Sequence, residues 1–274
     1  MSNPLLIPLW SAASILIAAA LGVFKSSSIL GPRRLDADES PQILLVSIGF
    51  ALSAWALTVL LLGQAHQLVL KHQKLPPTNN LSDSETVVYS AAMDVAVFCA
   101  SLFASRATRR DALGRIGLSP RRFPFGVLSG AFFLLLILSL MLWLNELTEW
   151  GLDRLGKSPP PHELLEILTS NPPPWLRFAD ILAAGLFAPL AEELFFRGLL
   201  QTFLRYTLKL PWLAVILATI AFALLHPWWT WPQIFFLGLC LGYVYERTGN
   251  LWTTIAIHSL FNLTSISAFT HLGS

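Results

Sequence analysis

The chain has 274 residues, of which 54% are hydrophobic and only 12% are charged; its formal net charge is +2 and its mean hydropathy is +0.61. Because a soluble domain carries roughly 25% charged residues, this composition excludes a water-soluble globular protein and gives no sign of a nucleic-acid partner. Both cysteines, Cys99 and Cys240, lie inside apolar runs, which argues against a disulfide framework.

Apolar runs of membrane-spanning length follow one another along the chain. A spanning helix needs about 20 mostly apolar residues. Four clear runs come first, at 4–24, 41–63, 87–105 and 123–144. Four further apolar runs, which contain more polar residues, follow at 175–204, 211–226, 234–245 and 251–269. The first run lacks the basic start of a signal peptide, so we expect a retained helix. The sequence therefore predicts an all-α fold, a polytopic transmembrane bundle of about eight helices.

Motif content and composition divide the chain into three regions. Residues 1–154 are predicted to form a four-helix membrane region that carries no motif, and 175–274 hold the last four helices. Between them, residues 155–174 are rich in proline, with runs of three at 159–161 and 172–174. We favour a rigid linker here; the alternative is a short helix that lies on the membrane surface.

Basic residues predict the orientation. The loop between the third and fourth predicted helices holds six arginines: Arg106, Arg109, Arg110, Arg115, Arg121 and Arg122. By the positive-inside rule this loop, together with the basic first and fifth loops, faces the cytoplasm. We therefore expect a multi-pass protein of the plasma (inner) membrane with both termini outside.

Two adjacent glutamates stand inside the fifth predicted helix. An ionisable side chain in the membrane costs about 2.5–3.5 kcal/mol, so its presence needs a reason. Glu193 and Arg197 are four residues apart and share a helix face, so they can pair. Glu192 points about 100° away around the helix axis and has no partner in its own helix, which makes it the candidate for proton transfer.

Two more same-face pairs follow on later helices. Phe222 and His226 are four residues apart just before Pro227, where the sixth helix is expected to break. His258 and Asn262 have the same spacing in the eighth helix and can both donate hydrogen bonds into one cavity. Taken singly, such a histidine is more often a packing residue, and a Glu–Arg pair is more often structural. The three pairs in this order are far more specific.

The patterns Glu-Glu-x-x-x-Arg, Phe-x-x-x-His and His-x-x-x-Asn together resemble the CPBP family, which includes the type II CAAX prenyl endopeptidases and the bacterial Abi proteins. The resemblance covers about 175–269. It implies an intramembrane endopeptidase in which Glu192 and His226 activate a water molecule, while His258 and Asn262 form the oxyanion hole. Three further residues are expected to support the site: Glu193, Arg197 and Phe222.

The resemblance leaves the cofactor open. The family is commonly described as one of metalloproteases, and Glu192, His226 and His258 could supply three ligands to Zn²⁺ with an open position for water. The chain has no His-Glu-x-x-His pattern, however, and a glutamate-dependent scheme without metal fits the same residues. We favour the metal-free scheme.

The sequence also suggests a class of substrate and two alternative functions. The expected partners are the lipid bilayer and a peptide or membrane-protein substrate, of which prenylated CAAX-type proteins are one option. One alternative is a proton- or ion-coupled transporter that uses the buried ionisable residues as a relay. The other is a non-catalytic Abi-like immunity or scaffold protein. Asp94 in the third predicted helix and the Gly238-x-x-x-Gly242 pattern lie outside the motifs.

Overall fold

The computed structural model describes residues 40–108, 112–157, 166–168 and 170–272, and every regular element in these ranges is a helix. The all-α prediction is thereby confirmed. The first four helices are α1 (Pro41–His72), α2 (Asp83–Thr108), the single turn α3 (Ala112–Arg115) and α4 (Phe123–Arg154). The predicted helix at 4–24 lies outside the described residues.

The next helix, α5, runs from 174 to 208 and contains two π-helical segments. It consists of Pro174–Leu182, the π-helix Ala183–Phe187, Ala188–Glu193, the π-helix Leu194–Gln201 and Thr202–Leu208. No residue outside a helix separates these segments. π-Helical turns are rare and occur frequently at functional sites. Here they lie on either side of the segment that carries the two glutamates.

The last three helices are α6 (Pro211–Leu224), α7 (Trp231–Thr248) and α8 (Leu251–Leu272). The break between α6 and α7 is predicted at 227–232 and lies at 225–230, because Pro232 lies in the first turn of α7, where its missing N–H is tolerated. Gly249 ends α7 in a left-handed conformation, φ 56°. Asn250 then accepts a hydrogen bond from the Trp252 amide at the start of α8.

Within the described residues, three helical stretches are long and apolar enough to cross a membrane: Pro41–His72, Asp83–Ala107 and Leu113–Arg154, the last of which contains α4. The prediction of an integral membrane protein is confirmed by these spans. α1 and α4 end at residues 72 and 154, well beyond their predicted ends at 63 and 144. In each helix, the helical hydrogen bonding continues into the more polar residues that follow its apolar run. The kind of membrane and the side that each loop faces stay predictions.

Part of the predicted linker packs on the helices. Residues 166–168 are helical, and Ile167 is buried in a cluster with Val87 of α2 and with Leu176 and Ala183 of α5. The rest of the predicted surface helix falls on residues that the structure does not describe. At the linker's start, the ammonium group of Lys157 lies 4.9 Å from the centre of a Trp228 ring, which ties the linker to the turn after α6.

α4 and α8 approach each other closely along two glycines. A Cβ atom at Gly126 would lie 2.5 Å from Cβ of Trp252, and one at Gly130 would lie 2.6 Å from Cβ of Ala256. No side chain fits at either position without displacing α8. Small residues allow this close helix contact in membranes, where van der Waals packing drives association. The contact holds α8, which carries two predicted site residues, against the N-terminal region.

We predict that Gly130→Ala destabilises the protein by about 1–3 kcal/mol, because the added methyl group overpacks the contact between α4 and α8. The measurement is thermal unfolding of the purified full chain in detergent. Gly49→Ala in α1 is the matched control, because no described atom lies within 4 Å of a Cβ at Gly49. Equal melting temperatures for the two variants would contradict the close contact.

Candidate active site

Glu193 and Arg197 form an ion pair inside the protein. Both side chains are fully buried, and Arg197 Nε lies 3.4 Å from Glu193 Oε2. The guanidinium group of Arg197 also lies 4.9 Å from the centre of the Phe222 ring, on α6. The pair joins two turns of α5 across the start of its second π-helix. The attraction between these opposite charges offsets the free-energy cost of removing them from water. Either charge buried without the other would strongly destabilise the protein.

His258 lies between the two adjacent glutamates. Its ring is almost fully buried, with Nδ1 3.2 Å from Glu193 Oε1 and Nε2 3.7 Å from Glu192 Oε2. The Glu193 carboxylate, paired with Arg197, can only accept a hydrogen bond, so His258 Nδ1 is the donor. This bond fixes the ring orientation and directs Nε2 towards Glu192.

Glu192 differs from Glu193 in its exposure. The Glu192 side chain is 27% exposed, whereas that of Glu193 is 0% exposed. The difference follows from the helix, since adjacent residues point about 100° apart. α2, which carries Asp94, packs against the segment of α5 that holds Glu192. Of the two adjacent glutamates, Glu192 is therefore the one that a substrate or water can reach.

His226 follows the last turn of α6 and stands beside the same aromatic ring. Its Nδ1 donates to the carbonyl oxygen of Phe222 at 2.9 Å, which leaves Nε2 as the free nitrogen. The Phe222 ring centre lies 4.8 Å from the His226 ring and 5.7 Å from the His258 ring. The two histidines thus flank one phenylalanine. The indole N–H of Trp231 holds the His226 carbonyl at 2.9 Å.

Asn262 lies one turn after His258 on α8. Its side-chain amide donates to the carbonyl oxygen of Ala184 at 2.8 Å. Ala184 belongs to the first π-helix of α5, so this bond joins the two helices that carry most of the site. An amide group has two N–H donors, and the second one remains for another acceptor.

The structure adds two buried polar residues to those predicted. Gln201 continues the face of Glu193 and Arg197 by one more step of four residues, and its side chain donates to the carbonyl oxygen of Gly242 at 3.1 Å. The four-residue spacing was the only sequence signal for it. Asp180, nearer the start of α5, is 1% exposed, and the sequence pattern gave no reason to single it out.

The predicted zinc ligands do not converge. Among the residues that the structure describes, no three His, Cys, Asp or Glu side chains are grouped so that they could hold a metal ion. Glu192 and His258 lie together, whereas His226 is not grouped with them; its Nδ1 donates to a backbone carbonyl, and its Nε2 is the other ring nitrogen. No step below passes through a metal.

We predict that Glu193→Ala lowers the stability of the protein by about 3–5 kcal/mol, because it leaves the buried Arg197 charge without its partner. Glu192→Ala is the matched control and should unfold close to the wild-type temperature, since Glu192 is partly exposed and has no ion pair with Arg or Lys among the described residues. Thermal unfolding in detergent measures both.

The double variant Glu193→Ala/Arg197→Met should recover part of that loss, because it removes the unpaired charge as well. An unfolding temperature of Glu193→Ala equal to that of Glu192→Ala would contradict the structural role of the buried pair.

Comparison with known proteins finds a family match for the C-terminal region. A family model described as type II CAAX prenyl endopeptidase Rce1-like matches residues 173–264, about a third of the chain. A search of curated proteins and a search of solved structures find no match. The matched range contains all seven residues of the three motifs. The resemblance inferred from those motifs is confirmed over 173–264, where the chain is similar to the type II CAAX prenyl endopeptidases of the Rce1-like family.

Proposed function

We propose that this protein is an intramembrane endopeptidase that hydrolyses peptide bonds in membrane-associated proteins of the CAAX type. The observation that carries the proposal is the position of His258 between Glu192 and Glu193, inside the region that matches the protease family. One glutamate is accessible for chemistry and the other is buried against an arginine, so the pair can supply both a reacting group and a positioning group.

In this mechanism, Glu192 and His226 activate the attacking water molecule. Glu192 is the accessible carboxylate, and the free Nε2 of His226 can accept a proton or orient the water molecule. As Glu192 takes a proton from water, the water oxygen forms a bond to the carbonyl carbon of the substrate. The carbonyl π-electrons move to the oxygen, which becomes negatively charged.

The negative oxygen needs hydrogen-bond donors. His258 Nε2, when it carries a proton, and the second amide N–H of Asn262 can supply them, because the other donors of both side chains are already held by Glu193 and Ala184. The C–N bond then breaks, and the leaving nitrogen takes the proton from Glu192. The products are a carboxylic acid and an amine, and Glu192 returns to its starting state.

Glu193 and Arg197 act as positioning residues in this scheme. Glu193 holds His258 through Nδ1, and Arg197 holds Glu193 in turn. Phe222 separates the two histidine rings and carries the guanidinium group near its face. None of these three residues exchanges a proton with the substrate. Their contribution is a fixed geometry, which saves reorganisation when the transition state forms.

We predict that Glu192→Gln reduces kcat by about 10²–10⁴-fold, because the amide cannot act as a general base. The assay follows cleavage of a farnesylated CAAX-type peptide by the purified full chain, with products identified by mass spectrometry. Glu149→Gln, at an exposed position of α4, is the matched control and should cleave like the wild type. Undiminished cleavage by Glu192→Gln would refute the glutamate mechanism.

The same preparation decides between the metal-free and zinc schemes. After treatment with chelator and removal of metal to below one ion per hundred or so protein molecules, the metal-free scheme predicts unchanged cleavage. Loss of cleavage that Zn²⁺ restores would overturn it. If the wild type cleaves no peptide, the peptidase proposal fails; ion flux that is lost in Glu192→Gln would then favour the transporter alternative.

A further inference from the structure

A buried polar surface lies behind the site, where α5 faces α6 and α7. On α5 it consists of Glu193, Arg197 and Gln201, which are at most 1% exposed. Arg197 Nε, Nη1 and Nη2 have no hydrogen-bond acceptor among the described residues, and Gln201 Oε1 has no donor there. Arg197 has its ion pair with Glu193, but at 3.4 Å this contact leaves the N–H groups without a well-directed acceptor.

α6 and α7 close this surface from the other side. Thr219 of α6 is fully buried, and its hydroxyl oxygen also has no hydrogen-bond partner among the described residues. A Cβ atom at Gly238 of α7 would lie 3.4 Å from that oxygen, and one at Gly242 would lie 3.1 Å from Gln201 Oε1. The two glycines therefore bring the α7 backbone close while adding no side chain to the space between the polar groups.

The unpaired groups are complementary in kind. Arg197 offers only donors, whereas Glu193 Oε2, Gln201 Oε1 and the Thr219 oxygen offer acceptors, and none of them forms a well-directed hydrogen bond with Arg197. A water molecule accepts from one side, donates to the other and needs two to four polar partners. An anion fits less well, because Glu193 already offsets the Arg197 charge and the other groups present oxygen atoms.

We propose that water molecules bound between Arg197, Gln201 and Thr219 are a fixed part of this protein, and that Gln201 and Thr219 position His258 through them. The bound water would hold the Arg197 guanidinium in place, Arg197 holds Glu193 at 3.4 Å, and Glu193 holds His258 Nδ1 at 3.2 Å. The proposal that water is bound here does not depend on the proposed function. The positioning role of Gln201 and Thr219 does rest on the proposed function.

X-ray hydroxyl-radical footprinting of the purified full chain in detergent tests the water directly. Bound water is split by the beam and labels the side chains next to it, even when these are buried. Val215 contacts the position of Gly242 beside Gln201 and is 3% exposed; Val244 is 4% exposed and lies in an apolar cluster. Mass spectrometry should show faster labelling of Val215 than of Val244.

Substitutions then locate the source of the label. Thr219→Val keeps the side-chain shape and removes the hydroxyl, so labelling of Val215 should fall, and Thr219→Ser should restore it. Thr207→Val is the control, since the exposed Thr207 hydroxyl bonds to its own helix. Equal labelling of Val215 and Val244 in the wild type would overturn the proposal. Labelling of Val215 that changes with chloride concentration would assign the site to an anion and overturn it too.

Kinetics test the positioning role separately. Thr219→Val should lower kcat about fivefold with KM unchanged, the effect of losing one hydrogen bond that acts on the transition state. Thr219→Ser should recover the rate. If the wild type cleaves and Thr219→Val leaves kcat unchanged, the positioning role fails while the peptidase stands. If the wild type does not cleave, the peptidase proposal fails and the footprinting result still decides whether the water is bound.

Discussion

The buried ion pair between Glu193 and Arg197 is the interaction on which the rest of the site depends. Both side chains are fully buried, and burying either charge without the other would strongly destabilise the protein. Once Arg197 fixes the Glu193 carboxylate, that carboxylate is an acceptor in a fixed place, and His258 must donate to it. The direction of His258 Nε2, and hence the geometry around Glu192, follows from this one pair.

Adjacent glutamates take different roles because a helix places them in different surroundings. Glu193 is buried between Arg197 of its own helix and His258 of α8. Glu192, about 100° away, keeps part of its side chain open to what enters the site. In the proposed mechanism, a single turn of helix thus supplies the carboxylate that reacts and the carboxylate that positions His258.

The N-terminal helices hold the helices that carry the site. α4 packs against α8 along Gly126 and Gly130, with no room for a side chain between them. α2 packs against α5 in a cluster that includes Val87 and Ala183. Glu192 is on α5 and His258 is on α8, so each of the two helices that carry the site also packs against an N-terminal helix.

The helices and the same-face pairs could be predicted from sequence, because both depend on local spacing. Apolar runs located every described long helix, and four-residue spacing anticipated the contact between Glu193 and Arg197. The Gly238-x-x-x-Gly242 pattern indicated a close helix contact, which α6 makes, but the side chains that meet between helices could not be predicted. The π-helices of α5 and the hydrogen bond from Asn262 to Ala184 depend on how α5 and α8 pack, and no local pattern encodes that.

Zinc ligation illustrates the same limit. Three residues of suitable type occurred in the right order, and only their positions in space show that they do not group as a ligand set. Gln201 shows the converse, since a residue with no motif signal lies on the same buried face as the ion pair. Residue type and order predict which chemistry is available, whereas packing decides which groups meet.

The hydrogen bond from His258 Nδ1 to Glu193 is the central claim, and nitrogen-15 NMR of the histidine-labelled protein tests it most directly. The chain has six histidines, so His258→Gln suffices to assign the signal. The account predicts that Nδ1 of His258 carries a proton and that its signal shifts in Glu193→Gln. A His258 ring with its proton on Nε2 alone, unchanged by Glu193→Gln, would contradict the account.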